Sequence, residues 1–527
     1  METVYILIMS IAPAIICMFS SIRFIHMLQL ESYQAPGYIR WLKTNGKKNW
    51  WILILSAVFY IASVILRMKQ SAVLSYVAMA ASFASAVVYI IVSKNKDAKK
   101  PLKYTARIKR FIAGEVFLLL IAEVFAFLMS PAVFALILAL LPLFVLFVHY
   151  MMYPIEKTIN NWYMNDAKKK LSAKKDLITI GITGSYGKTS VKYILGTILS
   201  EKYNVLVPPS SYNTPMGVTR VIREQLNDEH EVFIAEMGAR HVGDIKELVD
   251  FVHPKYGIIT SVGPQHLETF FTIENVQNTK YELIAGLPEE GAAFFPDDSE
   301  GLNLAKPLYE REIPQEKTLF GFKKTDDVCA YDMKADGTGS TFTVKLKNGE
   351  TFTAHTKLLG KHNIMNILGA VAMAEYMGLS TEEIAGGIEK IEPVEHRLQL
   401  LPTGNGVNVI DDAFNSNPSG AAAALEVLSY FPGRKIIVTP GMVELGETQD
   451  EKNAEFAVGI AKVADIVYLV GRKQTASMYK ALESSGFDME NVTVCGSLSE
   501  ASSIMGSRLM VGDTVLFEND LPDNYSE

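Results

Sequence analysis

Apolar positions are spread unevenly along this chain. Five runs, Val4–Leu28, Trp50–Leu66, Ala72–Val92, Phe111–Met129 and Pro131–Tyr153, are nearly free of charge. Each is close to the roughly 20 residues that cross a bilayer core, so the pattern predicts five membrane helices. After residue 176 the pattern changes. Leu177–Thr183 is a short β-branched run that reads as a buried parallel strand, and Val191–Leu199 follows at helical spacing. Val232–Glu236 and Ile258–Val262 read as further strands. Phe320–Leu358 reads as a β-rich stretch turning at Asp336-Gly337 and Asn348-Gly349. Strands at Lys435–Pro440 and Ile466–Val470 alternate with helices, as in a Rossmann-like sheet.

Charge sharpens this division. Residues 1–176 hold 21 Lys/Arg against 8 Asp/Glu, whereas the whole chain carries a net charge of −7. The basic residues fall in alternate connections: Arg40, Lys43, Lys47 and Lys48; then Lys94 to Arg110; then Lys157 to Lys175. Basic loops stay in the cytoplasm. The expected topology is therefore a multi-pass cell-membrane protein with an outside N-terminus and a cytoplasmic C-terminal portion, its basic segments touching membrane lipid. Within the fourth run, Glu123 is expected near mid-membrane, a costly place for a carboxyl. Glu115, nearer the basic end, is expected to snorkel out. The acidic remainder argues against nucleic acid as a partner. Cys17, Cys329 and Cys495 are too scattered for a disulfide framework or a zinc site.

The candidate chemistry begins after the first strand. Gly184-Ser185-Tyr186-Gly187-Lys188-Thr189 stands between a strand and a helix, the setting a phosphate loop needs. Its glycines let backbone N–H groups approach phosphate oxygens. Lys188 would neutralise the β/γ-phosphates of ATP and the Thr189 hydroxyl would hold Mg²⁺. The usual first glycine is missing, with Ile182 in its place. The predicted fold class is thus an α-helical membrane bundle followed by α/β: a P-loop NTPase-like central domain and a Rossmann-like C-terminal domain. The expected boundaries are a transmembrane region at 1–153, a basic linker at 154–176, a central domain at 177–393 and a C-terminal domain at 394–527.

The segment Thr183–Thr189 resembles the ATP loop of the Mur ligases, and further motifs follow in that family's order. Tyr212-Asn213-Thr214-Pro215-Met216-Gly217 is similar to its acyl-substrate loop. Glu236, closing an apolar strand, resembles its magnesium Glu. Gln265-His266-Leu267 resembles its His-Leu signature, and Asn278–Leu283 the segment whose lysine, here Lys280, is carbamylated. Gly360–Asn366 resembles the adenine-contacting motif, with Asn363 and Asn366. Glu395-His396-Arg397-Leu398 resembles the hinge arginine. Ile410–Pro418 and Gly441–Gly446 look most like the D-alanyl-D-alanine-adding branch.

The resemblance implies an ATP- and Mg²⁺-dependent amide-bond ligase working through an acyl phosphate. Lys188, Glu236, His266 and Lys280 would be its catalytic residues. Gly184, Ser185, Gly187, Lys188, Thr189, Asn363, Asn366, Arg397 and Asp411 would bind ATP. Asn213, Thr214, Asn415 and Asn417 would meet substrate. Thr189 and Glu236 would hold one Mg²⁺, and His266 a second that carbamylated Lys280 would stabilise. The implied partners are a UDP- or lipid-linked cell-wall precursor and an amino acid or dipeptide. Two departures concern the substrate: apolar spans stand where the family has a UDP-gripping domain, and Glu518-Asn519-Asp520 stands where a basic ending is expected. A membrane-bound amino-acid polymer synthase of the polyglutamate type fits the same motifs. A transport ATPase fits them poorly, since the second acidic strand ends in Glu-Met-Gly and no transporter signature appears.

Overall fold

A computed structural model of the chain describes residues 2–44, 49–93, 101–209, 211–299, 301–336, 339–393, 398–401, 403, 406–413, 416–443 and 445–519. The chain divides into two compact units, Met1–Trp162 and Tyr163–Glu527.

In the first unit, Ile11–Leu30, Trp50–Met68, Ala72–Val92 and Ala106–Leu128 are helical stretches long and apolar enough to cross a membrane. The fifth expected span is broken. Helix Val133–Ala139 and the helix beginning at Leu141 are bent by 94°. Pro142 stands in the first turn after the break, where its missing N–H cannot continue the preceding helix. The break leaves the last carbonyls of the first helix without intrahelical partners, and Trp50 Nε1 meets one of them, donating to Ala139 O at 2.9 Å. In the first turn of the next helix the Tyr38 hydroxyl donates to Pro142 O at 2.9 Å. Tyr38 comes from a helix, Ala35–Thr44, in what the sequence pattern leaves as a polar loop; Ala35, Tyr38 and Trp41 form its buried face. Spans Trp50–Met68 and Ala72–Val92 exchange hydrogen bonds, Ser56 Oγ to Ser82 O at 2.9 Å and Ser82 Oγ to Ser56 O at 2.8 Å. Small hydroxyl residues allow that close approach. Glu115 does not snorkel; it is wholly buried in this unit. Glu123 is half-buried.

In the second unit, a nine-stranded sheet is built from β1 (Ile178–Thr183), β2 (Val205–Leu206), β3 (Val232–Glu236), β4 (Tyr256–Ile259), β5 (Ala292–Pro296), β6 (Glu316–Gly321), β7 (Val328–Asp336), β8 (Gly339–Lys345) and β9 (Thr351–Thr356). Their order is β2-β3-β1-β4-β5-β6-β7-β8-β9. Pairing is parallel as far as β7 and antiparallel through β8 and β9. The Asn348-Gly349 turn joins β8 to β9, with Gly349 at φ +90°; the other expected turn, at Gly337, lies outside the described residues. Ile180 and Ile182 of β1 pack in one core with Ile194, Leu195 and Ile367. That core fixes helices Lys188–Leu199 and Lys361–Tyr376 on one face of the sheet. On the other face Phe233, Phe251 and Leu283 form a second core that also takes in Ala167. Ala167 belongs to helix Leu141–Ser172, so most of the segment expected as linker is helical.

A second sheet contains β10 (Gln399–Leu401), β11 (Asn408–Asp412), β12 (Lys435–Thr439), β13 (Ile466–Val470), β14 (Val492–Cys495) and β15 (Thr514–Glu518), in the order β10-β11-β15-β12-β13-β14. All neighbours but β10 pair in parallel. The carboxyl ends of β11, β15 and β12 therefore open on one edge.

Candidate active site

The site is assembled at the carboxyl edge of the first sheet. β1 ends at Thr183 and helix Lys188–Leu199 begins five residues later. Two glycines make the loop between them possible. Gly184 has φ +156°, and a Cβ there would run into Thr260 Oγ1. Gly187 has φ +80°, and a Cβ there would sit 2.5 Å from Asn366 Oδ1. Only glycine adopts such backbone at little cost.

The loop is tied down from behind by the segment after β4. Ser185 N–H donates to Ser261 O at 2.8 Å, and Ser185 Oγ donates to Gly263 O at 2.9 Å. Tyr186 N–H donates to Ser261 Oγ at 2.9 Å. Ser185, expected to touch ATP, thus directs its hydroxyl into this tether. Lys188 Nζ folds over the loop, donating to Gly184 O at 2.6 Å and Ser185 O at 3.2 Å.

Parallel pairing of β1 with β3 sets Ile182 beside Glu236, which places the Glu236 carboxylate next to the loop. Glu236 is only 1% exposed. Its Oε1 accepts from Thr189 Oγ1 at 3.0 Å and from Asn213 Nδ2 at 3.1 Å. Its Oε2 has no hydrogen bond but faces Lys192 Nζ at 3.3 Å. Thr214 beside Asn213 caps helix Pro215–Glu224, accepting from Gly217 N–H at 3.3 Å. Lys192 was not expected from the sequence pattern, yet it carries a signal. It lies one turn beyond Lys188, among Val191, Ile194 and Leu195 on a helix whose face is buried, and a lysine in such company needs a partner.

Lys280 lies on helix Ile273–Ala285 and is 2% exposed. Burial and then the Lys188 charge bring its amine down to about 7, against the opposing pull of Asp244 and Glu282. Half-buried His266 sits in the loop after β4 at φ +53°, where it opens the short helix Leu267–Phe270. Asn363 and Asn366 are buried on helix Lys361–Tyr376. Asn363 Nδ2 donates to Leu359 O at 2.9 Å, while Asn366 stands against Gly187. Beside them His362 has an enclosed Nδ1 without a hydrogen bond, and burial holds its imidazole down near 4.

The structure therefore gathers Lys188, Thr189, Asn213 and Glu236, and sets Lys280 within electrostatic reach of Lys188. Thr189 and Glu236 are hard oxygen donors, the kind Mg²⁺ prefers. Among the described residues no three His, Cys, Asp or Glu side chains are grouped to hold a metal. A magnesium ion at Thr189 and Glu236 would therefore draw its remaining ligands from outside such a group, the nucleotide's own oxygens among them.

At the edge of the second sheet, Asp411 Oδ1 accepts from Ala413 N–H at 3.1 Å, and Asn417 caps helix Pro418–Ser429 through Gly420 N–H at 2.9 Å. Buried Glu518 accepts from Ser416 Oγ at 2.5 Å. Burial first, then the neighbouring Asp412 carboxylate, push its proton affinity well above the ordinary range. Arg397 and Asn415 lie outside the described residues.

A parallel sheet whose first strand runs into this glycine loop, joined to a second α/β domain, defines a phosphate-loop nucleotide-binding enzyme fold. The Mur ligase middle domain matches residues 182–374, and the Mur ligase glutamate ligase domain matches residues 396–518. This chain belongs to the Mur ligase family. The UDP-N-acetylmuramoyl-tripeptide–D-alanyl-D-alanine ligase of Mycobacterium tuberculosis (strain ATCC 25618 / H37Rv) is 30% identical over 367 residues, covering 64% of this chain and 70% of that protein. The ligase of the same name from Bacillus subtilis (strain 168) is 27% identical over 342 residues, covering 64% and 72%. The structure of MurF ligase from Thermotoga maritima in complex with ADP superposes with a TM-score of 0.60 at 25% identity, covering 68% of this chain and 80% of that one.

Proposed function

We propose that this chain is a membrane-anchored, ATP-dependent ligase that joins the peptide carboxylate of a cell-wall precursor to an amine, with D-alanyl-D-alanine the first candidate. The observation that carries the reading is the contact of Thr189 and Glu236 at the end of the phosphate loop, whose Lys188 lies within electrostatic reach of the buried Lys280 amine. A carboxylate does not acylate an amine at neutral pH; transfer of the γ-phosphoryl group makes an acyl phosphate that does. That reaction calls for positioned charge rather than a nucleophilic side chain. Lys188, released from Gly184 O and Ser185 O, holds the phosphates. Thr189, Glu236, His266 and carbamylated Lys280 would hold Mg²⁺, which supplies charge neutralisation at the γ-phosphate. Near-neutral Lys280 is available as the free amine that adds carbon dioxide, turning a repelling cation into an anion. Asn363 and Asn366 would face the adenine, Arg397 and Asp411 would close over the nucleotide, and Asn213, Thr214, Asn415 and Asn417 would meet the peptide and amine.

The proposed parts are a transmembrane region at 1–153, a basic segment at 154–176, and ligase domains at 177–393 and 394–527. Four apolar helices of spanning length support the membrane assignment, and the alternating basic segments support a cytoplasmic face for the ligase. The precursor is UDP-linked or lipid-linked. Depleting the protein in its host and profiling precursors by mass spectrometry tests this. Accumulation of a precursor lacking its terminal amino acid or dipeptide is expected; an unchanged pool would refute it.

A further inference from the structure

Lys192 and Glu236 form an ion pair inside the central domain, with side chains 0% and 1% exposed and 3.3 Å apart. Glu236 has two oxygens with different company. Oε1 faces Thr189 and Asn213, toward the phosphate loop; Oε2 faces Lys192, away from it. The carboxylate is thus held by a hydroxyl and an amide on one side and a fixed cation on the other. Lys192 stands one turn after Lys188, so the same helix that offers a lysine to the phosphates offers a second to the carboxylate.

A divalent cation placed at Thr189 and Glu236 meets a protein charge already cancelled by Lys192. Lys188 Nζ, folded over the same loop, adds a further positive charge nearby. Without nucleotide phosphates the balance around that position is unfavourable to a cation; with them it is favourable. We infer that Lys192 is a positioning and charge-balancing residue that makes metal binding at Glu236 conditional on bound nucleotide. The inference rests on the proposed reading of Glu236 as the metal-facing carboxylate. Its consequence is ordered loading: the metal enters with the nucleotide, and the empty site does not sequester free magnesium. The arrangement also fixes the carboxylate's rotation, since Oε2 is drawn to Lys192 and Oε1 is left toward the loop.

The test uses the full-length protein in detergent, with Mn²⁺ as paramagnetic probe, titrated with and without ADP. Lys192→Met and Lys192→Gln remove the cation; Lys192→Arg keeps it; Glu236→Gln removes the ligand; thermal melts check folding. The Met and Gln variants are expected to bind Mn²⁺ without ADP at least tenfold more tightly than the native chain, with the Arg variant close to native. They should also lower kcat more than they raise the KM for ATP. A purely structural pair would give no gain in metal affinity, so unchanged nucleotide-free binding in a folded Met or Gln variant overturns the inference. So does loss of folding in both of them while Glu236→Gln still folds. Native-like metal binding by Glu236→Gln would instead sink the metal assignment of Glu236 itself, and this inference with it.

Discussion

Thr189 Oγ1 donates to Glu236 Oε1 across 3.0 Å, joining the first turn after the phosphate loop to the last residue of the neighbouring strand. The bond follows from the parallel β1–β3 register, which brings the two carboxyl ends level. It carries the first prediction. Thr189→Val keeps the shape and removes the hydroxyl. Loss of one preorganised polar group of this kind costs about 10²–10³-fold in kcat. Steady-state ADP release should show that loss with thermal stability nearly unchanged; native turnover would remove Thr189 from the site.

Lys280 gives a prediction of opposite sign for stability and activity. Its ordinary value is 10.5, and it falls to about 7 in the folded chain. The unfolded chain therefore binds this proton more tightly. The cost to folding is complete below pH 7, shrinks as pH rises, and vanishes above 10.5. In carbonate-free buffer at pH 7, Lys280→Met should melt several degrees higher than the native chain. It should be inactive in ligation and partly rescued by short carboxylic acids. Full activity in this variant, without added acid, would end the carbamate proposal.

That depressed amine was invisible in the sequence, which shows a lysine on a helix but not Phe270 and the second core around it. Strand positions were legible because β-branched runs such as Ile178–Thr183 and Ile466–Val470 lack helical periodicity, and the structure places strands at both. The break at Leu140 was not, since apolar residues continue through it and the carbonyls there find partners far away in sequence, Tyr38 and Trp50. Ser185 stood out by its place in a motif, but its hydroxyl turns to Gly263, a contact 78 residues away. Glu115 was read by its distance from basic residues, whereas packing around it decided its burial. Local pattern thus revealed elements and motif positions; long-range partners decided what each side chain does.

Gly187 tests the loop's backbone. Alanine there must adopt φ +80° and meet Asn366 Oδ1. A left-handed residue costs roughly 1–2 kcal/mol, and the collision adds to it. Gly187→Ala should lower the melting temperature and abolish protection by ADP. Adding Asn366→Ala should recover part of the stability but not the nucleotide response. If Gly187→Ala binds ADP as the native chain does, the loop is not the phosphate site.

Truncation tests the helix that ends at Ser172. Met164 and Leu171 pack against the second core and Ala167 is buried in it. A fragment beginning at Tyr163 should keep that packing, and one beginning at Leu177 should lose it. The longer fragment should melt higher, and both should leave the membrane fraction. Equal melting temperatures would show that this helix adds nothing to the ligase fold.

An acyl phosphate is proposed to link ATP to amide formation in this chain. The most direct measurement uses UDP-N-acetylmuramoyl-tripeptide labelled with ¹⁸O in its terminal carboxylate, with ATP, Mg²⁺, D-alanyl-D-alanine and the purified full-length protein. One ¹⁸O should be delivered to inorganic phosphate for each amide formed, read by mass spectrometry. Amide formation with unlabelled phosphate, or ATP consumption without any amide, would contradict it.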